Sequence, residues 1–134
     1  MDNLLGKLKL QHAEMKALLA MAATEPADRS LVIASGLDDF RKVFVAHLHL
    51  ENKYLYPLLL ERGKTTRIGA LSVEMLIGEV AAIQDTTIFF LNEYGSPEKI
   101  AKNFSGFKKA LAKTTALLES RIRLEEEGLF ECLA

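Results

Sequence analysis

The sequence predicts an all-α fold, an up-down-up-down antiparallel four-helix bundle. Apolar residues recur at alternating spacings of three and four along four long segments, the stripe that a bundle helix turns towards its core. Proline, glycine and short polar runs fall mainly between those segments. No stretch shows the strict alternation of a half-buried strand. Short connections make successive helices antiparallel neighbours.

The first helix is expected over residues 3–23, with Asp2 or Asn3 as cap and Thr24-Glu25-Pro26 as the break. Its stripe reads Leu5, Leu8, His12, Met15, Leu19 and Ala22. The second is expected from Asp28–Ser30 to Arg62, with Gly63 just past its end. Its stripe reads Leu37, Phe40, Phe44, His47, Glu51, Tyr54 and Leu58; Gly36 should kink it early and Pro57 bend it late. Lys64-Thr65-Thr66 reads as a short polar loop. The third helix is expected over about 66–94, turning Ile68, Leu71, Met75, Gly78 or Glu79, Ala82, Thr86 and Phe89 inward. Gly95-Ser96-Pro97 ends it and starts the fourth, with Ser96 as N-cap and Pro97 in the first turn. The fourth runs over 97–132, with a distortion expected at Gly106. Its stripe reads Phe107, Leu111, Thr114, Leu118, Arg121, Glu125, Gly128 and Cys132.

At 134 residues the chain fits one domain, residues 1–134, with a substantial core. A net charge of -1 without a basic block argues against nucleic acid as a partner. The N-terminus lacks a basic start followed by a long apolar run, and the run around Val80 to Leu91 is broken by Gln84 and Asp85. Neither a signal peptide nor a membrane span is expected. Cys132 is the only cysteine, so nothing requires an oxidising compartment, and a cytoplasmic location is the default.

Polar residues interrupt three of the four stripes. His12 stands midway along the first. His47 and Glu51 stand four apart on the second, and Arg121 and Glu125 four apart on the fourth. A buried carboxylate is costly unless it is paired, hydrogen-bonded or metal-bound. Two imidazoles and two carboxylates converging in a bundle supply the donors of a non-haem metal site, and that mixture suits iron, manganese or zinc. The blander reading is a hydrogen-bonded core network, which a lone buried histidine more often signals. His49 points away from the stripe and reads as surface. Glu126, Glu127 and Glu131 read as a solvated acidic face, with Glu126 bordering the stripe.

His47-Leu48-His49-Leu50-Glu51-Asn52-Lys53-Tyr54-Leu55-Tyr56-Pro57 resembles the second-helix motif of hemerythrin-like (HHE) domains: a histidine, a glutamate four later, then an aromatic-proline pair. Arg121-Ile122-Arg123-Leu124-Glu125-Glu126-Glu127-Gly128-Leu129-Phe130 resembles its fourth-helix copy, with arginine in the histidine's place. Leu10-Gln11-His12 resembles the first-helix segment. The resemblance spans the chain in length and helix order. It implies a bundle built around non-haem iron, in a family that binds or senses dioxygen, iron or redox state. Carried over by position, His12 and His47 would ligate one iron, and Glu51 and Glu125 (or Glu126) would bridge it to a second. That second iron would need histidines from the third and fourth helices. Met75 or Glu79 stands near the first of those positions and Arg121 at the other. With three histidines in the chain, the full histidine set of the family cannot be built.

Arginine stays protonated, so Arg121 cannot be an ordinary ligand, yet its planar fork suits a carboxylate. Two states of the site follow. In one, His12, His47 and one or two carboxylates hold a single metal: iron, or else manganese or zinc. In the other the core is metal-free and Arg121 answers the glutamates. Arg121, Glu79, Met75, Glu126 and Tyr54 are expected around the ligand set. The leading function is a metal-binding or sensing domain for iron, redox state or a small ligand such as dioxygen. The alternative is a metal-free interaction or regulatory module that docks a protein partner or a second copy of itself. An enzyme ranks last, because no substrate pocket is legible. A phosphotransfer bundle would need an exposed reactive histidine, and His47 faces inward.

Overall fold

The computed structural model describes residues 2–63 and 69–133, with side chains described for 3–62 and 73–133. The described residues are helical almost throughout. The first rod is α1 (Asp2–Thr24); a 3-10 turn, Ala27–Arg29, leads to the second. The second rod comprises α2 (Ser30–Leu50), a π turn (Glu51–Leu55) and α3 (Tyr56–Gly63). The third is α4 (Gly69–Glu93). The fourth joins α5 (Pro97–Lys102), α6 (Phe104–Arg123), a second π turn (Leu124–Leu129) and a 3-10 end (Phe130–Leu133). α1 packs on α2 and α6, and α4 packs on α3 and α6, which closes the four antiparallel rods into a bundle. No described helix is long and apolar enough to cross a membrane.

The connections follow from side-chain chemistry. Thr24-Glu25-Pro26 stops α1, and the Arg29 N–H donates to Pro26 O at 3.0 Å to start the next turn. Ser96 caps α5 by accepting from the Lys99 N–H at 3.3 Å, with Pro97 at the start of the helix. The fourth rod is broken at Asn103 rather than at Gly106. The Asn103 side chain accepts from the Gly106 N–H at 3.1 Å, and a Cβ on residue 106 would collide with it. The glycine marks the cap's landing place, three residues after the break. The loop expected at Lys64-Thr65-Thr66, the start of the third helix and the side chains of Ile68 and Leu71 lie outside the described residues.

The inner face of the second rod departs from the expected stripe beyond Glu51. Leu55 and Leu59 are buried, whereas Tyr54 is 46% exposed and Leu58 is also exposed. The π turn is the reason. The Tyr56 N–H reaches back to Glu51 O, five residues earlier, so one extra residue enters the turn and every later side chain shifts by one position. Pro57 then falls in the first turn of α3, where its missing donor is tolerated. The fourth rod repeats the device. The Phe130 N–H bonds to Glu125 O, and Leu129, rather than Gly128, takes the core position after Glu125.

The third rod turns a different face inward from the one expected. Val73, Val80, Thr87, Phe90 and Leu91 are buried; Met75 is 63% exposed, Phe89 68%, and Gly78, Glu79 and Ala82 are exposed too. α4 carries apolar residues on two faces, so periodicity alone does not choose between them.

The core has two apolar parts. One contains Met15, Leu19, Ile33, Phe40, Phe44, Phe90 and Phe107. The other contains Leu8, Leu55, Leu59, Val73, Val80, Leu129 and Phe130. Along the first, second and fourth rods the polar residues fall between them in sequence order: His12 between Leu8 and Met15, His47 and Glu51 between Phe44 and Leu55, Arg121 and Glu125 between Leu118 and Leu129.

Candidate metal centre

His12, His47, Glu51, Arg121 and Glu125 are each no more than 1% exposed and form one cluster. Four donor atoms, one each from His12, His47, Glu51 and Glu125, lie within 4.8 Å of one another. His12 Nε2 is 3.2 Å from His47 Nε2 and 2.9 Å from Glu125 Oε2. His47 Nε2 is 3.0 Å from Glu51 Oε2 and 3.4 Å from Glu125 Oε1. The helix heights therefore match. The four-residue spacing of His47 and Glu51 survives because the wide turn opens only at Glu51.

The outer nitrogen of each imidazole faces a polar partner. His12 Nδ1 lies 2.6 Å from Glu126 Oε2, and His47 Nδ1 lies 2.8 Å from Gln11 Oε1. Both partners are acceptors, which assigns the proton of each neutral ring to Nδ1. Both Nε2 lone pairs then point into the cluster. Burial lowers the His12 pKa to about 4 against the opposing pull of Glu126, so the ring is neutral at ordinary pH.

Arg121 reaches both carboxylates from the fourth rod. Its Nη2 donates to Glu51 Oε1 at 2.7 Å, its Nε stands 3.9 Å from Glu125 Oε2, and its guanidinium sits 5.5 Å from the centre of the Phe44 ring. Tyr56 donates its hydroxyl to the same Glu51 oxygen at 3.3 Å. Glu51 is thus divided, with Oε1 towards Arg121 and Tyr56 and Oε2 towards His47. Burial by itself would raise its pKa, but the His47 ring, whenever it carries its second proton, and the Arg121 guanidinium outweigh this and hold it below the ordinary carboxylate value. Burial and the neighbouring Glu51 push the Tyr56 phenol well up.

Among the described residues four buried side-chain atoms have no hydrogen-bond partner: Glu51 Oε2, Glu125 Oε1, and Nε and Nη1 of Arg121. Such atoms are expensive in a dry interior and call for an explanation. The two carboxylate oxygens are close to His47 Nε2 without forming a hydrogen bond to it. Their orientation, converging with two imidazole lone pairs, fits a small hard-to-intermediate cation better than it fits a proton. The ring nitrogens held from outside by Glu126 and Gln11 have the support usual for metal-ligating histidines.

Some expected neighbours lie elsewhere. Tyr54, Met75 and Glu79 are exposed and outside the cluster. The added residue of the π turn displaces Tyr54, and the outward rotation of α4's second apolar face carries away the other two. Glu126, expected on the acidic surface bordering the stripe, is 34% exposed and bonded to His12. Thr87 is the buried polar residue among the described side chains of α4, and its hydroxyl turns back to Ile83 O at 3.2 Å. Among the described residues the third rod therefore brings no ligand. Two members of the cluster's surroundings were missed. Tyr56 is signalled only by the aromatic-proline pair it forms with Pro57, and Gln11 by nothing except its place beside His12.

Residues 3–133 match the family described as Hemerythrin HHE cation binding domain. No curated protein and no solved structure matches the chain significantly. Nearly the whole described chain falls within the family match, and its buried histidines and glutamates lie on the first, second and fourth rods of an antiparallel bundle: this chain belongs to the hemerythrin HHE cation-binding domain family.

Proposed function

We propose that the chain binds one divalent transition-metal ion, iron foremost, through His12 Nε2, His47 Nε2 and the carboxylates of Glu51 and Glu125. Arg121 occupies the place of a second metal. The observation that carries this reading is the outward hydrogen bonding of both rings, which leaves two Nε2 lone pairs 3.2 Å apart beside carboxylate oxygens without hydrogen bonds. Imidazole lone pairs turned inward in that arrangement repel the carboxylates and each other unless a cation lies between them.

Charge balance supports a single ion. Glu51, Glu125 and Glu126 bring three negative charges, and Arg121 returns one. One divalent cation neutralises the remainder, while a second would leave an excess of positive charge inside the bundle. Two imidazoles with carboxylates are a donor set that ferrous iron, manganese and zinc all accept. Iron held so would supply redox chemistry and affinity for dioxygen, and a role in sensing iron, oxygen or redox state is the function we infer. The protein's part is to keep the rings oriented, water out and Glu51 ionised.

A metal-free regulatory module is the second reading. The buried 2.7 Å bond between Arg121 and Glu51 favours it, because that carboxylate is partly answered without any ion. Elemental analysis after anaerobic loading with ferrous iron, and separately with zinc or manganese, decides between them. One ion per chain, lost in His47→Ala, is expected. No retained ion would establish the metal-free reading, and two tightly held irons with a coupled spectrum would overturn the role given to Arg121.

A further inference from the structure

α4 exposes an apolar ridge that the bundle does not use. Met75, Gly78, Ala82 and Phe89 face outward at helical spacing, large at the ends and small in the middle. Phe89 and Met75 are the more conspicuous because the opposite face of α4 already fills the core. The ridge is bordered by Glu74, Glu79 and Asp85, and α4 contains no lysine or arginine.

A groove of opposite character runs between α1 and α2. Its volume is about 690 Å³, its apolar lining includes Val45 and Leu50, and its charged lining is Lys7, Arg41 and Lys42, with His49 beside them. Lys42 is paired with Asp38 at 3.3 Å, an exposed contact within one helix that costs little to exchange. α4 packs against α3 and α6, whereas the groove belongs to α1 and α2, so the ridge of one copy is not covered by its own groove.

We propose that the acidic-flanked α4 ridge of one copy docks in the basic α1–α2 groove of a second copy of this chain. Apolar matches apolar, and each acidic flank meets a basic rim. A symmetric pairing of two ridges is disfavoured. An antiparallel contact centred on Ala82 would set Glu79 against Asp85 of the other copy, like charge on like. Ridge-to-groove contact is heterologous, so a pair of copies keeps one free ridge and one free groove and association proceeds to rings or chains. Gln11 also lines the groove, which places the contact one hydrogen bond from His47.

The test uses exposed residues outside the metal centre. Sedimentation equilibrium over a concentration series should show self-association of the parent without a fixed two-copy limit. Phe89→Ser, Lys7→Glu with Lys42→Glu, and Glu79→Lys with Asp85→Lys should each weaken it about tenfold or more, with unchanged helicity and melting. Mixing the two charge-reversed proteins should restore association, because each supplies the surface that the other has lost. A parent that stays monomeric, association indifferent to the reversals, failure of the mixture, or a closed dimer cross-linked through residue 82 would each overturn the proposal. None of these outcomes bears on metal occupancy, which is measured separately.

Discussion

The second and fourth rods carry two versions of one device. In each, a basic residue stands four before a buried glutamate. A π turn follows the glutamate, and an aromatic backbone N–H closes that turn onto the glutamate's own carbonyl: Tyr56 to Glu51 and Phe130 to Glu125. The aromatic side chains then diverge. Tyr56 donates its hydroxyl to Glu51, while Phe130 stacks on His12 with ring centres 5.8 Å apart. The basic residues diverge further, with His47 in one copy and Arg121 in the other. The backbone arrangement tolerates a change from a potential ligand to a permanent cation, because Arg121 brings from the fourth rod the positive charge that Glu51 on the second needs.

Arg121→Ala is the sharpest way to break this comparison. It should cost about 3–5 kcal/mol in thermal or denaturant unfolding, since Glu51 would lose its buried counter-charge. Arg121→His should recover part of that loss when ferrous iron is supplied, because the two copies then carry the same residue type and binding to the folded state adds stability. If Arg121→Ala melts like the parent, the equivalence of the two copies fails.

The supports of the two rings differ as well, a carboxylate for His12 and an amide for His47. Glu126→Gln should weaken metal affinity about 10–100-fold in competition with a chelator, with little change in melting of the apo protein. Equal affinity in the variant and the parent would remove Glu126 from the site.

Acid should act on one ring before the carboxylate. The folded-state pKa of His12, about 4, lies below the 6.5 of an unfolded chain, so the unfolded chain takes up the proton first. The stability tied to neutral His12 is complete above pH 6.5 and is lost as the pH falls towards 4. Glu51 is depressed as well, so its contribution holds down to about pH 4.5, the ordinary carboxylate value, and is lost below it. Urea midpoints across this range should fall in that order. A flat profile between pH 6.5 and 5 would show that His12 takes up its proton equally in the folded and unfolded states.

The smallest effect is expected from Tyr56→Phe, which gives the second rod the aromatic residue of the fourth. Loss of one hydroxyl to Glu51 should cost about 1 kcal/mol and leave metal stoichiometry unchanged. A change in stoichiometry would make the phenol part of the metal centre.

Much of this arrangement was legible in the sequence because a helix keeps its own books locally. His47 and Glu51, or Arg121 and Glu125, share a face whatever happens beyond them, and the stripes through Met15 and Leu19 or Phe107 and Leu111 needed only a regular helix. The missed parts each depend on something the local spacing does not contain. Tyr54 and Leu58 gave way to Leu55 and Leu59 because a wide turn changes the period partway along a helix. Met75 and Glu79 faced outward because α4 has two faces apolar enough to bury, and its neighbours choose between them. Gln11 reaches His47 across two helices, a contact that no motif within one helix announces.

The π turn of the second rod has a consequence for insertions and deletions. One residue between Glu51 and Leu55 is surplus to a regular helix. Deleting Lys53 would bring Leu55 and Leu59 onto the very three-and-four rhythm begun by Leu37, Phe40, Phe44, His47 and Glu51, so the core composition would stay as it is. A single-residue deletion inside a bundle helix ordinarily rotates everything after it out of place. Here it should leave a folded, cooperative protein, detectable by its melt, less stable by the cost of placing Pro57 inside a regular helix and altered in the reach of Tyr56 to Glu51. A deletion variant that cannot fold would mean that the extra residue serves the architecture rather than the site. Chains of this kind differing in length by one residue at that turn can therefore share a core while holding their glutamate differently.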